Sequence, residues 1–493
     1  MKRIIALLLC LCFALGGCAQ SGTESHTEND GSAKPDPSTG STPVAAESFE
    51  RLALGLAALP ELPEEPDETA LWEKMNGLST EDQGKLWEEF DAQQRAYYDA
   101  ISALRGDGVD AALSGAFAAY TLRTARQLME HETEKNVVWS PANLYLALCM
   151  LCETTDGASR AQLLGLLGLE NVEQARSAAN TLWRSLYNDS ATGKTLLANS
   201  IWLNDQFDFH PDTVNTLAKE YFASAFRAPM GDTKTDAAIA QWVNENTNHL
   251  LENAAGALKT KPETLLMLIS TLYFKGTWSD QFDQYNTRED TFTAAGGAEQ
   301  KVDFMHKTQK GTYYRGDRFT VASLPFRDGT TMWFLLPDEG VSVQDAVLTG
   351  GTPFNGFDVS PDATLETAFG SAVASQGYAD IAWSVPKFDV DADLDLIPAL
   401  NALGITDIFG SDADFSPLTD LDAQVSAMEH AARVKVDEEG CEAAAFTAIT
   451  METTSALVEP LPVVEMNLNR PFGFLITGAD GLPLFLSIVN TME

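Results

Sequence analysis

Residues 264–278 read TLLMLISTLYFKGTW, with no charge before Lys275. So apolar a run, ended by Lys275 and Gly276, reads as a buried strand. Thr330–Pro337 (TTMWFLLP) and Asp380–Phe388 (DIAWSVPKF) read the same way. Buried strands need helices or a second sheet to cover them. Ala111–His131 (AALSGAFAAYTLRTARQLMEH) and Ala237–Leu251 (AAIAQWVNENTNHLL) supply amphipathic helical patterns. Arg327-Asp328-Gly329 and Asp480-Gly481-Leu482-Pro483 mark turns between strands. Helices and strands come in mixed order rather than as a regular strand-helix repeat. This predicts an α+β fold and not a doubly wound sheet. No internal repeat is present.

The chain has 493 residues, a hydrophobic fraction of 45% and a formal charge of −39. Such a length and composition suit a large globular domain with additional sequence. An acidic surface with no compensating basic patch repels phosphate, which excludes nucleic acid and anionic lipid head groups as ligands.

The additional sequence lies at the N-terminus. Lys2 and Arg3 precede an apolar run from Ile4 to Leu15, then Gly16, Gly17 and Cys18, so residues 1–17 read as an export signal. Leu15-Gly16-Gly17-Cys18 resembles a bacterial lipobox, in which Cys18 becomes the lipidated first residue; a plain signal peptide ending near a cysteine is the alternative. Residues 18–47, rich in Ser, Thr, Gly, Pro and acids, cannot bury enough apolar surface to fold and form a flexible tether. Residues 48–108 carry Leu, Trp, Phe and Tyr at three- and four-residue spacing, and Ser79 or Thr80 ahead of Glu81, Asp82 and Gln83 marks a helix start. They form an acidic helical extension, and residues 109–493 the main domain. Of the cysteines, Cys149, Cys152 and Cys441 remain beyond Cys18, too few for a disulfide framework. Cys149 and Cys152 share one face of an apolar helical run and read as buried thiols rather than a redox or metal pair.

An enzyme would show a nucleophile with its base and stabiliser, or a metal cluster. The six histidines, His26, His131, His210, His249, His306 and His430, include no pair at zinc-site spacing, and no nucleophile elbow occurs. Asn188–Thr195 ends like a phosphate-binding loop, but Asn188 stands where its first glycine is needed, so it reads as a turn. The expectation is a protein that is not an enzyme and needs neither cofactor nor metal.

Asn136-Val137-Val138-Trp139-Ser140-Pro141 with the helix after it resembles a segment of the serpins, the serine protease inhibitor family. Ala198–Leu203 (ANSIWL), Ile239 with Trp242, Val243 and Thr247, and Leu272–Trp278 running on to Phe282-Asp283 and Asn286-Thr287-Arg288 are similar to serpin motifs in the same order. Val385-Pro386-Lys387-Phe388, Leu403-Gly404-Ile405, Ala413–Ser416 and Asn469-Arg470-Pro471-Phe472 complete the series. The resemblance spans roughly 111–489. It implies the serpin fold: a large mixed central sheet, smaller sheets, about nine helices and an exposed reactive-centre loop. It also implies a shutter beneath the sheet, at Ser140, Ser270 and His430. Three positions depart from the family pattern. Ser270 replaces the usual Asn, Gly473 replaces a hydrophobic residue, and Cys441 replaces a hinge Thr or Ser.

The same resemblance makes Asp437–Pro460, DEEGCEAAAFTAITMETTSALVEP, the reactive-centre loop. A serine protease cleaves such a loop, and its first half then enters the main sheet as a new strand before the acyl-enzyme hydrolyses, distorting the protease. An inserting strand alternates its faces, which puts Cys441, Ala443, Ala445, Thr447 and Ile449 inward, all uncharged, and Glu442, Ala444, Phe446, Ala448 and Thr450 outward. Glu438, Glu439, Gly440, Cys441, Glu442, Ala443, Ala444 and Ala445 form the hinge, and Gly440 gives it backbone freedom. Counting forward sets the scissile bond at Thr454-Ser455, with Thr453-Thr454 one residue away. A small uncharged residue there fits an elastase- or subtilisin-like pocket, while Met451 would suit a chymotrypsin-like one. The expectation is a monomeric suicide inhibitor that forms a covalent complex with a serine protease. It is exported and lipid-anchored on the outer face of a bacterial membrane, or extracellular. A serpin-fold binding protein that does not inhibit is the alternative.

Overall fold

The computed structural model describes residues 5–7, 49–57, 59–60, 62–63, 65–129, 132–316, 318–348, 373–425, 428–441 and 461–492. Elements are numbered in chain order. One sheet has the order β13 (Phe388–Asp395), β15 (Glu429–Val436), β16 (Gly440–Cys441), β7 (Leu266–Thr277), β5 (Gly193–Asn204), β6 (Ala223–Ala228) and β2 (Ala53–Gly55), with β4 (Asn188–Asp189) paired to β5. The other runs β17 (Val463–Asn467), β12 (Val373–Pro386), β9 (Glu299–Gly316), β10 (Phe319–Pro325), β11 (Thr331–Pro337), β18 (Phe472–Thr477), β19 (Pro483–Val489) and β3 (Val137–Trp139), with β8 (Arg288–Thr293) on β9. Both sheets mix parallel and antiparallel pairs. The three apolar runs read as buried strands become β7, β11 and the end of β12, and the two turn signals separate β10 from β11 and β18 from β19. The Asn188–Thr195 segment is the β4–β5 hairpin, in which Asn188 pairs with Thr195.

Nine α-helices among the described residues lie within 109–493 and two in the extension. Those that position the site are α4 (Pro141–Thr154), α8 (Thr233–Asn246) and α9 (Glu252–Ala257). Ser140 caps α4 by accepting from the Asn143 backbone N–H, and Pro141 opens its first turn. Since α4 is buried on nearly every side, it is apolar all round, and Cys149 and Cys152 are fully buried free thiols in it. The second amphipathic pattern was expected to continue to Leu251. α8 instead stops at Asn246, because Asn248 and His249 adopt left-handed backbone that ends a helix.

The extension contributes α1 (Glu68–Met75) and α2 (Thr80–Arg105), the second capped by Ser79. Its first segment adds β2 to the edge of the β7 sheet and sets Phe49 edge-on against Phe226 at 5.8 Å. Ile5–Leu7, inside the stretch read as an export signal, is placed as β1, parallel to β14 (Ala423–Val425). Cys18 and the rest of the tether lie outside the described residues.

Candidate functional site: hinge, slot and shutter

β15 runs into the hinge, and the chain reverses at Asp437–Gly440. The Asp437 N–H donates to the Gly440 carbonyl at 2.9 Å, while the Asp437 carboxylate accepts from the Glu439 and Gly440 N–H groups at 3.0 and 3.3 Å. This side-chain-closed turn folds Gly440–Cys441 back as β16, between β15 and β7. Cys441 pairs with Val436 on one side and Gly276 on the other, and is 2% exposed.

Gly440 is needed here for a reason other than flexibility. A Cβ on it would lie 2.0 Å from the Gly276 carbonyl oxygen, and a Cβ on Gly276 would press on Phe326 at 2.7 Å. Gly440, paired with Thr277, lets β16 approach β7, while Gly276 leaves room for the Phe326 ring. The expectation of backbone freedom gives way to a packing requirement, and the backbone of Gly440 is not left-handed.

Around this turn residues that follow β7, together with Lys387, form a holder. Trp278, fully buried and stacked on Phe326 at 4.3 Å, donates from its indole Nε1 to the Asp437 carbonyl and from its backbone N–H to the Glu439 carbonyl, both at 3.0 Å. The Phe282 N–H donates to the Glu438 carbonyl at 3.0 Å. Glu438 is 7% exposed; its carboxylate pairs with Lys387 at 2.8 Å and accepts from the Thr287 hydroxyl at 2.8 Å. Burial alone would raise the Glu438 carboxyl, but the bonds from Lys387 and Thr287 outweigh it and hold it below the ordinary range. The bond to Glu438 raises Lys387 correspondingly.

Deeper between the same two strands the sheet is open. β15 pairs with β13 and β16, and β7 with β5 and β16, and no ladder among the described strands joins β7 to β15. The space they leave is a cavity of about 140 Å³, with Leu268, Ser270 and Thr271 of β7 on one side and Met428, His430 and Ala431 on the other. α4 closes it from behind, and α9 with the end of α8 from the front.

The three residues assigned to the shutter meet at its back wall, through a fourth. The Ser140 N–H donates to His430 Nε2 at 2.9 Å. Ser270 reaches Asn143 instead of His430: its hydroxyl donates to Asn143 Oδ1, while Asn143 Nδ2 donates to the Ser270 carbonyl at 3.1 Å. His430 is buried, and burial pushes its imidazole down to about 4, so the ring is neutral with its proton on Nδ1. Asn143 has no sequence signal beyond its place at the start of α4. Trp278, Thr287 and Lys387 stand in the family-like motifs, but only the packing gives them a part in the hinge.

Glu438, Glu439, Gly440 and Cys441 are thus placed together at the mouth of the slot. Glu442, Ala443, Ala444 and Ala445, and the bond Thr454-Ser455, lie outside the described residues. No cluster of His, Cys, Asp and Glu that could hold a metal occurs among the described residues.

Comparison with known proteins settles the family. The family model for serpins (serine protease inhibitors) matches residues 116–491. The chain belongs to the serpin family. Among curated serpins, Serpin-Z1B of Triticum aestivum is 28% identical over 396 residues, 76% of this chain and 95% of that protein. Neuroserpin of Homo sapiens is 27% identical over 379 residues, covering 73% and 87%. The native crystal structure of tengpin, a thermophilic serpin, superposes with a TM-score of 0.65 at 26% identity, over 78% of this chain and 95% of that one. The mixed α+β serpin fold follows, and family membership supports a protease-inhibitor type of function. Serpins in general are non-catalytic, and some do not inhibit.

Proposed function

We propose that this serpin is an inhibitory one, a suicide substrate for an elastase- or subtilisin-like serine protease, exported and tethered to the outer face of a bacterial membrane through lipid on Cys18. One observation supports inhibition above the others. The chain entering the loop is already two residues deep between β15 and β7, and the cavity beyond it lies along the same path. In the proposed reaction the protease serine Oγ attacks the Thr454 carbonyl, the Ser455 amine leaves, and an acyl-enzyme ester remains on Thr454. Ala443, Ala445, Thr447 and Ile449 then continue the strand that Cys441 begins, each side chain being small or apolar enough for burial. Insertion replaces the cavity with a strand bonded on both sides and carries the ester away from the loop's exposed position.

Incubation with elastase and subtilisin tests this. The expected product is a complex that survives boiling in detergent, with cleavage after Thr454 by mass spectrometry and a marked rise in thermal stability of the cleaved chain. Quantitative cleavage with no trapped protease and no gain in stability would leave a serpin-fold protein that does not inhibit. Processing at Cys18 is tested separately, by metabolic labelling with a fatty acid and its loss in Cys18→Ser.

A further inference from the structure

In the second sheet β9 runs on beyond the end of β8. Their pairing stops where Arg288 faces Phe304, and on that side β9 next gains a neighbour at Tyr313, which pairs with β10. From Met305 to Thr312 no strand lies there among the described residues, so this stretch is an open sheet edge. The chain leading into β8 turns away as a short 3-10 turn at Gln284–Asn286. Between that turn, the open stretch of β9 and β12 lies a cleft of about 430 Å³, within the size range of small-molecule sites.

Its charge sets it apart from the rest of the molecule. The chain carries 71 Asp and Glu against 32 Lys and Arg, yet Arg288, His306 and Lys307 line this cleft and no acid does. Lys307 is largely committed: its side chain is 10% exposed, and its ammonium lies 3.7 Å from the Asp280 carboxylate and 4.4 Å from the centre of the Phe282 ring. Arg288 is exposed and makes no ion pair among the described residues. Burial first, and then the nearby Arg288 charge, lower the His306 imidazole, with Asp290 opposing, so Arg288 and His306 act on one another. The guanidinium is therefore the cation with bonding capacity left, and its planar fork matches a carboxylate. Tyr285, 97% exposed, stands at the rim, where its backbone N–H donates to Asp283 Oδ1 at 2.9 Å, and Trp383 lines the wall. Aromatic side chains offer flat surface to a ring. A body of charge −39 repels each further negative charge, which favours a monoanion over phosphate or a polyanion.

We infer that this cleft binds a small organic acid, a single carboxylate carried on a flat ring, with the carboxylate on Arg288 and the ring against Tyr285. Benzoate is the simplest member of the class. Thr287, next to Arg288, donates to the Glu438 carboxylate, and Trp383 pairs with Met466 of β17, so the ligand sits between the hinge and β17. The site does not depend on whether the serpin inhibits.

The test uses the full chain and benzoate, by calorimetry and ligand-observed NMR, with benzyl alcohol as the neutral control and phosphate as the anion without a ring. Saturable benzoate binding is expected, with benzyl alcohol, phosphate and the Arg288→Gln variant each weaker by roughly tenfold or more. Tyr285→Ala should weaken it by roughly threefold. Both side chains are exposed, so the variants keep the fold, and Arg95→Gln, which removes an exposed charge from α2, should leave the affinity unchanged. Absence of saturable benzoate binding, equal affinity for benzyl alcohol, full affinity in Arg288→Gln, or an equal loss in Arg95→Gln would overturn the site. Phosphate binding as tightly as benzoate, or full affinity in Tyr285→Ala, would overturn the assignment to aromatic acids.

Discussion

His430→Gln should flatten the acid limb of this protein's stability. Burial holds the His430 imidazole at about 4, against an ordinary 6.5, and its Nε2 accepts from the Ser140 N–H. The unfolded chain therefore takes up a proton at higher pH than the folded one. The stability contributed by the neutral ring is fully present above about pH 6.5 and lost as pH falls toward 4. At 1.36 kcal/mol per pH unit, the loss is roughly 2 kcal/mol between about pH 7.5 and pH 5, and roughly 3 kcal/mol by pH 4. Glutamine does not titrate, and its amide oxygen can still accept from Ser140. Urea unfolding at several pH values, read as the difference between wild type and variant, isolates this term, since Glu438 and Asp414, whose carboxyls are held low in both proteins, cancel. The variant starts lower at neutral pH and the two curves converge by that amount in acid. Parallel curves would show that the ring is not buried neutral, and the shutter geometry would fall with it.

Three further outcomes follow from the hinge and loop. Gly440→Ala puts a methyl 2.0 Å from the Gly276 carbonyl oxygen and should expel β16, so that Cys441, 2% exposed in the wild type, becomes a fast-reacting thiol while fully buried Cys149 and Cys152 stay silent; mass spectrometry after brief alkylation reads this, and unchanged labelling refutes the close approach. Glu438→Gln removes the ion pair with Lys387, whose side chain is 38% exposed, so a loss of about 1 kcal/mol is expected in thermal or urea unfolding. Lys387→Met should cost as much and the double variant little more; additive losses would show that the two do not act as a pair. Thr454→Arg should move inhibition from elastase toward trypsin, whose primary pocket binds a cation, as read from association rates with each protease.

Much of the fold was legible in the chain because its strands are apolar throughout and its helices keep their period. TLLMLISTLYF could hardly be anything but buried, and β7 proves to lie between β5 and β16. Ser79 before Glu81, Asp82 and Gln83 marked the start of α2, since capping is decided by residues three apart. The end of α8 was not legible, because nothing in Thr247-Asn248-His249 forbids another helical turn, yet Asn248 and His249 take left-handed backbone. At the candidate site, Glu438–Cys441 were singled out by their place in the order of motifs. Their partners were not. Trp278 lies 159 residues from Asp437 and Ser270 lies 127 from Asn143, and no local pattern encodes a bond across such distances.

The sequence by itself determined the family and the apolar strands and periodic helices of its fold, since each rests on residue type at fixed spacing. Only the tertiary structure decided that Gly440 serves close approach rather than flexibility, that Ser270 bonds Asn143 and not His430, and that the slot is held open with its first two residues already in place. These depend on which atoms of distant segments share a space of a few ångströms. The chain writes out its own surfaces; what lies against them is settled by packing.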